Sequence, residues 1–127
     1  MIGLPDSVRI LLFSEPTDMR RGFNGLTGMV LAAGHDVYSG HLFVFVSRTR
    51  NRVKILTFQK GGFVLWYKRL ERGRFRLVPT DQSQVTIDAT QLAMLVDGFD
   101  WSRVKRPKHW EPARKKSRLR IDNRQSA

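Results

Sequence analysis

The sequence predicts an α+β fold: an antiparallel β-meander of about five strands with one helix before and one after it, packed on one face, and a basic C-terminal arm. Three observations predict it. The runs 42–48, 53–59 and 63–70 are rich in Val, Ile, Phe, Trp and Tyr and follow one another through short polar breaks. Connections of that length permit only antiparallel hairpins, because a parallel crossover takes about a dozen residues or more. Apolar residues recur at helical spacing on either side of these runs, and hydrophobic patterning ends after Trp101.

The elements are justified in chain order. Residues 8–13 form a short apolar run closed by Ser14-Glu15-Pro16, which reads as a strand and a turn. Thr17 or Asp18 can then cap a helix, whose apolar positions Phe23, Leu26, Val30 and Ala33 have helical spacing and whose stop is Gly34. Gly22, Gly25 and Gly28 weaken that helix, and their spacing places them on one side, where a second backbone is expected to come close. The three strand-like runs come next, with Lys60-Gly61-Gly62 as a hairpin turn. A further strand is expected over 75–78 and another over 84–87. Asp88 then caps a helix over 89–96 that ends at Gly98. Residues 1–101 therefore read as one domain, and 102–127 as a basic tail too poor in aliphatics to bury a core of its own, hence expected to be disordered.

Charge is the strongest compositional signal. The chain carries 23 Lys plus Arg against 11 Asp plus Glu, a formal net charge of +12, and no cysteine. Lack of cysteine excludes a disulfide framework, a thiolate nucleophile and any Cys-ligated metal site. No basic stretch followed by an apolar run opens the chain, and no run is long enough for a membrane span, so a cytoplasmic protein with no membrane partner is expected. The charge is also unevenly spread: residues 1–47 are near neutral at −1, 48–76 carry +9, 77–101 carry −4, and 102–127 carry +8.

Inside the first basic block the charges alternate, as Arg48, Arg50, Arg52 and Lys54, and again as Arg72, Arg74 and Arg76. In a strand, alternate residues share a face, so Arg74 and Arg76 lie together while Phe75 and Leu77 pack behind them. Guanidinium groups repeated at the ~7 Å spacing of alternate strand residues suit a line of phosphates, each held bidentately. The competing explanation, a solvated outer face, accounts for a few charges but poorly for ten bases against Glu71. Lys68 and Arg69 add to the block, and Arg114, Lys115, Lys116, Arg118 and Arg120 supply tail contacts. Of the interleaved aromatics most are expected in the core; Trp66 can stack on a base if Lys68 points to solvent, while Tyr67 points inward.

No catalytic residue, metal or cofactor is predicted. Asp18, Asp36, Asp81, Asp88, Asp97 and Asp100 are scattered among caps and loops, and His35, His41 and His109 lack metal-ligand spacing. The absence of any phosphate-binding or nucleophile-elbow motif points the same way.

Several motifs in fixed order carry a resemblance. They are Thr17-Asp18-Met19-Arg20-Arg21-Gly22-Phe23-Asn24-Gly25-Leu26, Ser39-Gly40-His41-Leu42-Phe43-Val44-Phe45, Lys54-Ile55-Leu56, and the stretch from Leu65-Trp66-Tyr67 through Arg74-Phe75. Gln91-Leu92-Ala93-Met94-Leu95 and Gly98-Phe99-Asp100-Trp101 extend it. The chain resembles the TnpB-type accessory protein of the IS sixty-six class of bacterial insertion sequences, over residues 4–101. The resemblance implies a protein encoded beside a separate transposase and assisting transposition, with no enzymatic activity of its own. Two departures stand out: Asn24 where the family often has an acid, and Phe58-Gln59-Lys60 in place of a Trp-Asp-Gly turn.

These readings converge on a transposition accessory factor that binds DNA, at the element's ends or non-specifically, through a basic sheet rim and tail while assisting the transposase. The alternative is a protein–protein adaptor that docks the transposase through an apolar sheet face and the acidic 77–101 segment, without touching DNA. A metal-dependent nuclease ranks below both, given the scattered acids.

Overall fold

The computed structural model describes residues 7–77 and 79–98. The chain order is β1 (Ile10–Phe13), α1 (Phe23–Ala32), β2 (Leu42–Val46), β3 (Arg52–Gln59), β4 (Gly62–Arg69), β5 (Gln84–Ile87) and α2 (Ala89–Asp97). The strands form one sheet in the order β4-β3-β2-β1-β5. The α+β composition agrees with expectation, but the sheet is mixed and not an antiparallel meander. β1 pairs with β2 in parallel, Ile10 opposite Leu42 through Phe13 opposite Phe45, while the other three pairings are antiparallel. The reason is the connection: the stretch between Phe13 and Leu42 contains α1 and is long enough for a crossover, unlike the tight links around β3.

A second correction concerns the layers. The two helices pack on opposite faces of the sheet. Leu26 and Val30 of α1 join Phe13, Phe43, Phe45 and Leu56 in one core, in which Phe13 and Phe45 stack at 4.7 Å between centroids. Leu92 and Leu95 of α2 join Ile10, Leu12, Val44, Val53 and Ile55 in the other. β2, Leu-Phe-Val-Phe-Val, is buried at every position, which is what a strand covered on both sides requires. Its unbroken apolar run is the sequence signal for two covered faces.

Local chemistry explains the ends. Lys60 and Gly61 both take positive φ, 48° and 83°, so the turn has the hand that matches strand twist, as its sequence predicts. Asp88 accepts from Gln91 N and Gln91 Oε1 accepts from Asp88 N, completing a capping box for α2. α1 differs from expectation: it starts at Phe23 with Gly22 at its cap and no side-chain cap bond. Asp18 accepts instead from Arg20 N and from the Arg20 guanidinium. Among the described residues no second backbone approaches Gly22 or Gly28 either. A Cβ at Gly22 or Gly28 would meet nothing within 4 Å, whereas one at Gly25 would lie 3.0 Å from Arg21 Cβ. The expected strand over 75–78 is not present as far as Leu77, where Arg74 makes an isolated bridge and Phe75 is buried.

Candidate nucleic-acid interface

Residues at the C-terminal ends of β1 and β2 share one end of the sheet with the start of β3 and the end of β4. Two backbone bonds tie the following segment to the same place: Leu70 N donates to Asn51 O at 2.7 Å and Phe75 N to Arg50 O at 2.6 Å. The turn between β2 and β3 and the segment after β4 are therefore neighbours. Arg48, Arg50, Arg52, Arg69, Arg72, Arg74 and Arg76 come from these segments, and all seven are exposed. Arg50 sits at φ 62°, a left-handed conformation that arginine adopts at a cost, within a turn closed by Arg50 N to Ser47 O. Arg52 stands opposite Arg69 in the ladder, and Arg69 meets Glu71 at 3.3 Å.

Two candidate residues lie elsewhere. Lys54 is only 8 % exposed, and its Nζ donates to Met19 O and Arg21 O at 2.8 Å each while lying 5.0 Å from the Tyr67 ring centroid. Alternation correctly puts Lys54 on the face of Arg52, but the loop before α1 covers that face two residues in, so Lys54 holds the loop and is not part of the rim. Lys68 reaches to the C-terminal turn of α2, donating to Val96 O at 2.6 Å. Burial lowers its pKa below the usual lysine value, against the opposing pull of Asp97. The tail candidates Arg114, Lys115, Lys116, Arg118 and Arg120, and the boundary at 101, lie outside the described residues.

Lys68 does not point freely to solvent, yet Trp66 on its face is 40 % exposed, because β4 is an edge strand reaching beyond the cover of α2. Tyr67, expected inward, is 51 % exposed on the opposite face. His35 and His41 have structural partners: His35 Nε2 lies 2.8 Å from Gln84 Oε1, and Arg9 N donates to His41 Nδ1. Among the described residues no group of three or more His, Cys, Asp or Glu is placed to hold a metal ion, and no helix is long and apolar enough to cross a membrane.

Sequence reasoning missed two arginines. Arg20 and Arg21 fall in the near-neutral front of the chain, but the loop from β1 to α1 brings them beside Arg48. Together with Thr17, Asp18 and Met29 they line an open cleft of about 510 Å³. The Arg20 guanidinium meets Asp18 Oδ2 at 2.7 Å and holds that carboxyl well below the usual carboxylate range. The motif from Thr17 to Leu26 was the available signal, since it sets two adjacent arginines in the connection that follows β1.

A mixed sheet, covered on both faces and carrying a concentrated basic end, defines an α+β protein. The chain belongs to the family described as IS66 Orf2 like protein, whose model matches residues 8–106. It is 36 % identical over 107 residues to the uncharacterized protein y4jC of Sinorhizobium fredii, covering 84 % of this chain and 92 % of that one. It is 31 % identical over 115 residues to y4hO of the same organism, covering 90 % and 98 % respectively. No solved structure matches the chain.

Proposed function

We propose that the protein is a transposition accessory factor that binds nucleic acid through the basic end of its sheet and assists a separate transposase, without catalysis of its own. The family supports the link to insertion sequences. The observation that carries the binding reading is the gathering of seven exposed arginines from the β2–β3 turn, the start of β3, the end of β4 and the segment after it. Guanidinium groups at that density attract phosphates through charge and paired hydrogen bonds.

Fluorescence anisotropy with duplex and single-stranded DNA across a salt series tests this. The expected result is an affinity whose logarithm falls linearly with that of salt, at a slope of about −0.9 per phosphate contacted in duplex. Affinity that ignores salt, or none for either form, would falsify the reading.

One observation favours the adaptor reading as a second possibility. β4 is an edge strand of 8 residues carrying Val64, Trp66 and Tyr67, each at least 40 % exposed, and unpaired edges of this kind accept a strand from another protein. A pull-down of the companion transposase after nuclease treatment separates the two: survival of the complex supports direct docking, and its loss supports a bridge made by nucleic acid.

A further inference from the structure

The cleft beside α1 adjoins the rim and shares Arg48 with it. It lies where Thr17 N donates to Val46 O at 2.9 Å, just past the carboxyl ends of the parallel strands β1 and β2. There the loop that leaves β1 and the turn that leaves β2 line a common crevice. Its lining holds the guanidinium groups of Arg20, Arg21 and Arg48 against the single carboxylate of Asp18. Arg20 is engaged with Asp18, whereas Arg21 and Arg48 make no ion pair among the described residues. Gly25 leaves room for the Arg21 stem to lie against α1.

We propose that this cleft binds a dianionic phosphate group, such as a terminal phosphate of a nucleic-acid strand, with Arg21 and Arg48 as its charge partners. Three guanidinium groups against one carboxylate leave two positive charges, which match a phosphate monoester at about −1.5 to −2 better than the single charge of an internal phosphodiester. The strand-end assignment rests on the nucleic-acid reading above; the phosphate site itself does not.

The test has two arms. In the first, thermal unfolding of the full chain is followed in inorganic phosphate and in chloride of equal ionic strength, for the wild type, Arg21→Ala, Arg48→Ala and Arg9→Ala, the last removing a charge before β1 at the other end of the sheet. Phosphate is expected to raise the midpoint of the wild type and Arg9→Ala, and to raise it far less in the two cleft variants. Both cleft arginines are exposed, so the midpoints of their variants in chloride are expected to stay near the wild type's while the response to phosphate shrinks, which a folding defect would not produce. Equal responses in all four proteins, or none in the wild type, overturn the site.

In the second arm, single strands with and without a 5′-phosphate are compared by anisotropy. The phosphorylated strand is expected to bind about tenfold tighter to the wild type, equivalent to 1.4 kcal/mol, and with no preference to Arg21→Ala. Equal affinity for both strands overturns the strand-end assignment while leaving the rim reading intact. No affinity for either single strand overturns the strand-end assignment, the duplex measurement then decides the rim reading, and the ion arm still decides the cleft.

Discussion

Arg52 and Arg69 stand directly opposite one another where β3 and β4 meet the basic end of the sheet. Like charges paired across a ladder disfavour the fold by roughly 0.2–1 kcal/mol, and the Glu71 carboxylate beside Arg69 is too exposed to offset much of that. The fold would gain by losing this pairing, and the proposed nucleic-acid contact gives its charge a use. Arg52→Thr is expected to raise unfolding stability by about 0.5 kcal/mol and to weaken DNA binding with a smaller salt slope. Denaturant unfolding and anisotropy read the two effects separately; a variant both less stable and equally tight would contradict the assignment.

Lys54 predicts the opposite pattern. Its ammonium satisfies Met19 O and Arg21 O, so Lys54→Met leaves two carbonyls without their donor. A loss of about 1–3 kcal/mol is expected in urea unfolding. Any drop in nucleic-acid affinity is expected to follow from displacement of the Met19–Arg21 loop, visible as raised amide exchange there, and not from a lost phosphate contact.

Lys68 makes stability depend on pH in the alkaline range. Its pKa in the folded protein lies below 10.5, the unfolded value, chiefly through burial. Between those two values the unfolded chain binds more protons, so this residue's contribution to stability rises with pH through that window and is constant below it. Lys68→Met is expected to remove that rise in unfolding curves collected at successive alkaline pH values.

The capping box offers a check on α2. Asp88→Ala is expected to cost about 1 kcal/mol, because Gln91 N loses its acceptor. Asp88→Asn, which keeps an acceptor oxygen, is expected to recover most of it. Equal losses in chemical unfolding for the two variants would show that the charge, rather than the hydrogen bond, stabilises the helix start.

How much of this was legible can be argued from particular residues. Lys60-Gly61, Asp88 and Gly98 act through backbone conformation and bonds to near neighbours, so their roles follow from the residues themselves. The strands β2 to β5 and the exposed arginines of the rim were legible for the same reason. The path from β1 to β2 was not: periodicity identifies a strand, a helix and a strand, but not which edges pair. Residue alternation likewise put Lys54 on a face without showing that the loop before α1 covers it.

The sequence by itself determined the kinds of element, their turns and the local concentration of positive charge, because those depend on residues a few positions apart. Only the tertiary structure decided that β1 and β2 run in parallel, that the helices cover opposite faces, and that Arg20 and Arg21 meet Arg48 across a cleft. Those outcomes follow from burying the apolar run of β2 on both sides, a demand met by segments far apart in the chain.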